Sequence, residues 1–390
     1  MALLQLLILV LCIICHKVDA RSHSQQERHQ RFSRSQEVDS NINLVSRENE
    51  FDCIDIYKQP GLQHPLLKNH KIQLNPTFTR ARKQYIQKDF NAGNFIGCPP
   101  GKVPIYREKM KHQMNFNSME SQIENFPLYP RELPIERYVT LDTTPNTTYH
   151  GAYANVNICA VSPLQKNQYS LGQIYAQGGP PAELNTIQAG WGVSPDLYGD
   201  SKTRLTGFWK VQGDQKSAGC FNVLCPGFIQ VHQTVGFGTI LEPSQTGSTT
   251  KLYLNFIIEQ DNQLGNWWLT LKGNINIGYW PKDIVPHLGN GASVIRFGGE
   301  TGSMASVSNP PMGTGYLPEA KYRYACYFAR LKILDSQFKE QEVKPDDMKI
   351  YRNADPKCYD LLYPGYSGEQ HRQAFLYGGP GAPADQCGPL

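Results

Sequence analysis

The chain lacks an apolar run of membrane length. Its one uncharged apolar stretch, Ala2 to Cys15, is shorter than the ~20 residues a helix needs to cross a bilayer, and no later segment approaches that length without charges. Val18-Asp19-Ala20 follows, with small residues where a signal peptidase requires them. Residues 1–20 are therefore predicted to be a signal peptide, and the protein to be secreted with no membrane attachment once the leader is gone. Helical periodicity is missing too: no window of 15 residues carries an apolar stripe at helical spacing, and no internal repeat is visible. Charge is scarce and nearly balanced, 38 Lys and Arg against 34 Asp and Glu, for a net charge of +4. That is too diffuse for a nucleic-acid surface, so no nucleic-acid partner is expected. The arginines at 21, 28, 31 and 34 lie in a Gln/His/Ser-rich stretch, which predicts a flexible solvated segment over 21–50. Metal-ligand spacing is absent as well. Cys220 and Cys225 have no second close Cys/His pair and His232 stands alone, so neither zinc nor any other cofactor is expected.

What the chain does have is cysteine in even number. Ten cysteines include Cys12 and Cys15 of the leader, leaving those at 53, 98, 159, 220, 225, 326, 358 and 387. In an exported chain an even set favours disulfides, although eight cysteines allow 105 pairings and spacing alone does not choose among them. The 34 glycines and 27 prolines in 390 residues fall below the ~25–30% of low-complexity disordered chains, so a turn-rich globular protein is expected. Its mature length exceeds one ordinary domain, and two units are predicted. Pro127, Pro130 and Pro134 punctuate a polar connector, and Asn146-Thr147-Thr148 is an N-glycosylation sequon that suits an exposed loop. The boundary is placed between 128 and 148, giving units over 51–135 and 145–390.

Beyond the boundary period two dominates. Leu252, Leu254, Phe256 and Ile258 alternate with other residues, as do Trp267, Leu269 and Leu271, and Tyr322, Tyr324, Cys326 and Phe328. Turn signals such as Gly213-Asp214, Gly289-Asn290-Gly291 and Pro310-Pro311 separate these segments. Many short strands without alternating helices predict an all-β fold, an antiparallel sandwich or barrel.

Several unusual strings then occur in order. Asp52-Cys53-Ile54-Asp55-Ile56-Tyr57-Lys58-Gln59-Pro60, His64-Pro65-Leu66-Leu67-Lys68-Asn69-His70 and Cys98-Pro99-Pro100-Gly101 resemble the activation propeptide of the plant neprosin family. Leu184-Asn185-Thr186-Ile187-Gln188-Ala189-Gly190-Trp191, Gly219-Cys220-Phe221-Asn222, Cys225-Pro226-Gly227-Phe228, Gly265-Asn266-Trp267-Trp268, Gly278-Tyr279-Trp280-Pro281 and Gly298-Gly299-Glu300 resemble its catalytic domain. The resemblance runs from 51 to 390. It implies a glutamic peptidase that cleaves after proline, made as a zymogen. It also implies a β-sandwich of two stacked antiparallel sheets, preceded by a small α/β or irregular propeptide that covers the cleft until removed. The partners it implies are proline-containing peptides and the chain's own propeptide; a monomer in the apoplast or cell wall is expected. It supports the pairs Cys53 with Cys98, Cys220 with Cys225 and Cys358 with Cys387, which leaves Cys159 and Cys326 to pair if their strands are neighbours.

The same resemblance locates a site with one altered member. The family's two glutamates fall on Glu300 and on position 188, which here is Gln188. Glu183, an odd five residues away, would point to the opposite face of a regular strand. An amide cannot share a proton, yet it can donate an N–H to an oxyanion. Fungal glutamic peptidases of the eqolisin type use a Glu with a Gln, so the expected roles are Glu300 as general base and Gln188 as oxyanion donor. The glycines at 298 and 299 are expected to admit a substrate backbone beside Glu300. Trp191, Trp267, Trp268 and Trp280 are expected to be scaffold. Lys210 and Gln212 depart from the family's usual Thr and Asp. Two other readings remain open: an inactive pseudoenzyme whose cleft holds proline-rich wall proteins in their extended conformation, and a carbohydrate-binding sandwich.

Overall fold

The computed structural model describes residues 50–78, 97–107 and 135–388, apart from 146, 162, 214–217, 320, 321, 384 and 385. The predicted signal peptide and most of the predicted flexible segment lie outside the described residues, as does Asn146. The strands in chain order begin with β1 (Phe51–Asp55), β2 (Lys102–Tyr106), β3 (Ile135–Thr143), β4 (Gly151–Asn157), β5 (Gln168–Gly178) and β6 (Asn185–Val193). They continue with β7 (Arg204–Val211), β8 (Ala218–Phe221), β9 (Ile229–Gln230), β10 (Tyr253–Gln260), β11 (Trp267–Leu271) and β12 (Ile275–Trp280). The last are β13 (Val294–Ser303), β14 (Cys326–Leu334), β15 (Glu340–Glu342), β16 (Met348–Arg352), β17 (Asp360–Tyr366) and β18 (Gln373–Gly378).

Two antiparallel sheets form the main body. One has seven strands in the order β16-β3-β13-β5-β6-β7-β8, and the other has nine, with β17-β18-β14-β4-β10-β11-β12-β9 as its path and β15 attached to β14. Alternation along each strand explains the stacking. Val139 and Leu141 of β3, Ile174 and Ala176 of β5, Ile187, Ala189 and Trp191 of β6, and Ile295 and Phe297 of β13 are fully buried from one side. Leu254, Phe256 and Ile258, Trp267, Leu269 and Leu271, and Phe328 and Phe375 meet them from the other in a single core. This is the expected β-sandwich. The period-two segments at 252–258 and 267–271 become β10 and β11, but β14 starts only at Cys326. Tyr322 instead packs at a tilt on Tyr327 and edge-on to His371 in a separate cluster, so the alternation before Cys326 reflects aromatic packing rather than a ladder.

The sandwich starts earlier than residue 145. β3 lies between β16 and β13, pairing with β13 from Ile135 to Asp142 and with β16 from Val139 to Thr143, so residues from Ile135 onward are built into the seven-stranded sheet. Four disulfides cross-link the described residues: Cys53–Cys98, Cys159–Cys326, Cys220–Cys225 and Cys358–Cys387. The second follows from the topology, because β4 and β14 are neighbours with Val156 opposite Phe328. No helix among the described residues is long and apolar enough to cross a membrane.

The propeptide unit is irregular, a two-stranded sheet of β1 and β2 with short 3-10 turns. Its described residues dock on the nine-stranded sheet. Gln59 exchanges hydrogen bonds with the backbone of Gln230 at the β9 edge. Farther along, Tyr279 receives the Gln73 N–H at 2.9 Å and contacts His70 Nε2 at 2.8 Å, while Gln73 also accepts from Asn266 and Trp268. Trp268 and Tyr279 alternate with the core-facing residues of β11 and β12, so this contact lies on the outer face of that sheet. Asp261 accepts from Gln73 Nε2, from Thr77 N–H and from the Thr77 hydroxyl. The described part thus docks on the outer face of the nine-stranded sheet and against Trp209 and Arg204 of β7, and residues 79–96 and 108–134, on which the expected cover of the cleft also falls, lie outside the described residues.

That grip is expected to weaken in acid. Burial lowers the pKa of His64, which lies edge-on to Trp209, and that of His70, which Asp283 only partly restores. A docked histidine with a lowered pKa favours docking at a pH above the free value of 6.5, and that contribution is lost as pH falls through the docked value. At Asp261 burial works upward, but the bonds from Thr77, Leu264 and Gln73 win and hold the carboxyl below 3.8, so its contribution persists until pH falls further. Weaker docking below pH 6.5 is the expected outcome, and His70→Gln should flatten the dependence; proteolysis of the 70–78 segment across a pH series checks it, a flat series in the unmodified protein being the contrary result.

Candidate active site

Glu300 sits on β13 between β3 and β5, with Tyr138 directly opposite on one side and Leu171 on the other. Opposed residues of antiparallel strands share a face, so Tyr138 and its period-two neighbour Glu136, and Tyr169, Leu171, Gln173 and Tyr175 of β5, look the same way as Glu300. Gln188 of β6 joins that face, because it lies opposite Tyr175 and Phe208. This is the face of the seven-stranded sheet turned away from the core.

The two residues singled out in the sequence meet there. Gln188 Nε2 donates to Glu300 Oε2 at 3.2 Å, Tyr175 OH donates to the same oxygen at 3.2 Å, and Tyr169 OH donates to Oε1 at 2.8 Å. Glu300 is only 3% exposed and Gln188 only 5%. Burial raises the Glu300 pKa to about 8, the charge of Glu136 adds to the rise, and the three donors only partly offset it. This environment favours the neutral carboxyl, which suits a proton donor, whereas the sequence reading expected a general base. With the pKa pushed up to about 8, the neutral carboxyl predominates at lower pH. The burial that keeps it neutral also lifts the phenols of Tyr138 and Tyr175 well above 10, so both remain hydroxyl donors.

Other sequence readings are settled by the same geometry. Glu183 lies outside β6 in a 3-10 turn and pairs with His287 at 2.9 Å. Gly298 shares the face of Glu300, and Gly299 points to the core. A Cβ at 298 would meet Val139 O at 2.3 Å, and one at 299 would meet Met312 and the Tyr377 ring, so both glycines serve close strand and core packing. Trp191, Trp267, Trp268 and Trp280 are fully buried scaffold. Lys210 stands opposite Thr186, two residues beyond Phe208 on its strand, and the Gln212 backbone bonds Leu184. Residues that the sequence reading missed are Glu136, Tyr138, Tyr169 and Tyr175, together with a half-buried aromatic group in which Phe221 packs on Phe208 at 4.7 Å and on Tyr169 at 6.2 Å. The even spacing of Tyr169 and Tyr175 was the available signal. Among the described residues no group of three or more His, Cys, Asp or Glu could hold a metal ion.

Two family models match the chain. The one described as Neprosin covers residues 166–380, and the one described as Neprosin activation peptide covers 46–155. The second therefore extends through β3 and into β4, strands that the structure places in the sandwich.

Proposed function

Because the chain belongs to the neprosin family, whose model matches more than half of it, we propose that it is a secreted zymogen peptidase that hydrolyses peptide bonds after proline at Glu300 and Gln188. The observation that carries this reading is the buried carboxyl of Glu300 with the Gln188 amide 3.2 Å away on an outward sheet face. Neutral Glu300 and the Gln188 N–H donate to the scissile carbonyl oxygen as charge develops on it, and Glu300 then passes its proton to the departing amine. Phe208, Phe221 and Tyr169 offer an aromatic wall for a proline ring beside the acid. The activation-peptide match and the four disulfides support a zymogen made for an oxidising compartment.

An acid of this kind fixes the sign of the pH dependence. With peptides carrying an internal proline, kcat/KM is expected to fall as pH rises through about 8, where Glu300 loses its proton. A rate that climbs toward pH 8 would show an ionised Glu300 acting as base. Activation should also spare β3. Removing that strand would leave β13 without one partner, so the mature N-terminus is expected between 108 and 134, a position that terminal sequencing of the acid-treated protein reads directly. The amide at 188 favours one second reading, a cleft that binds proline-rich segments without cutting them. Binding of such peptides with no product at any pH would support it.

A further inference from the structure

We propose that Glu136 is the second carboxyl of this site, the base that takes the proton of the attacking water in place of the amide at 188. The proposal rests on the peptidase reading. Its geometry comes from β3, where Glu136 faces Gly302 and therefore stands diagonal to Glu300, while Tyr138 stands directly opposite it. Diagonal partners on neighbouring antiparallel strands are about 7–8 Å apart at the backbone, a spacing that leaves room for a water between two carboxyls. Tyr138 OH donates to Glu136 Oε2 at 2.7 Å and fixes that carboxylate on the face of Glu300. Unlike Glu300, Glu136 is only half-buried, so water reaches it.

The groups facing Glu300 divide the work. β5 contributes two phenols, Tyr169 and Tyr175, and β6 contributes the Gln188 amide; all three are donors. On its own strand Arg296 is engaged by Asp142 at 3.3 Å. Glu136 is the carboxylate that acts on Glu300 from β3. Burial and the charge of Glu136 together keep Glu300 in its neutral form. In the reaction the Glu136 carboxylate takes a proton from water as the water oxygen bonds to the carbonyl carbon. The C–N bond then breaks as Glu300 gives its proton to the nitrogen. Return of one proton from Glu136 to Glu300 restores the starting state.

The test uses Glu136→Gln and the double variant Glu136→Gln/Gln188→Glu in the full proprotein, activated by acid. Glu136→Gln should lower kcat by about 10²–10⁴ with KM little changed, and a carboxyl placed at 188 should recover most of that loss. Infrared titration of the Glu300 carboxyl, assigned by its disappearance in Glu300→Gln, should move to lower pH in Glu136→Gln. An unchanged kcat, or an unmoved carboxyl titration, overturns the proposal. Silence of the unmodified protein overturns the peptidase reading instead, and the titration then decides alone whether the two carboxyls are paired.

Discussion

Replacing Glu300 by glutamine should raise the melting temperature at pH 8, leave it nearly unchanged at pH 4, and abolish peptide hydrolysis. The sign follows from linkage. The folded pKa of Glu300 is raised to about 8 from 4.5, so the neutral carboxyl favours the fold fully below pH 4.5, and that advantage is lost as pH rises through the folded value. At pH 8 the burial penalty is on the order of a few kcal/mol, because each pKa unit corresponds to about 1.4 kcal/mol. A glutamine keeps the shape and an acceptor for Tyr169 or Tyr175, carries no charge to bury, and has no proton to give. Calorimetry at the two pH values reads the stability half of the prediction. Equal melting temperatures for variant and parent at pH 8 would mean that Glu300 titrates as an ordinary carboxyl.

Gln188→Ala should lower kcat by about 10²–10³ while leaving KM within a small factor, the usual cost of removing one oxyanion donor. The Gln188 amide donates to Glu300 Oε2 in the resting site, and the same N–H is available to a carbonyl oxygen that takes its place. A large rise in KM with kcat intact would make Gln188 a ground-state contact. Steady-state kinetics on one proline-containing peptide separates the two cases.

The sandwich itself was legible in the sequence because Leu254, Phe256 and Ile258 of β10 and Trp267, Leu269 and Leu271 of β11 recur at period two. β14 was read too long, since Tyr322 alternates with the strand residues yet packs on His371 and Tyr327 outside the ladder. Gln188 and Glu300 were found through family strings, and the hydrogen bond between them closes over a sequence separation of 112 residues. Their neighbours were hidden for a physical reason. Tyr169, Tyr175 and Glu136 become neighbours of Glu300 only through the register of β3, β13 and β5, and no single strand announces which distant strand will lie beside it. The raised pKa of Glu300 was equally invisible, because it depends on burial and on Glu136 rather than on the residues next to it in the chain. The grip of the propeptide on the outer face of the nine-stranded sheet required Asp261 and Tyr279 to meet Gln73 and His70 across about half the chain.

The central claim is that a carboxyl at 300 performs peptide hydrolysis with an amide at 188. It is tested most directly by acidifying the purified proprotein and following cleavage of a proline-containing peptide from pH 3 to 8 beside Glu300→Ala and Gln188→Glu. Turnover by the unmodified protein that disappears in Glu300→Ala is the predicted result. No turnover until Gln188→Glu supplies a second carboxyl would contradict it and mark the natural chain as an inactive binder on an intact scaffold.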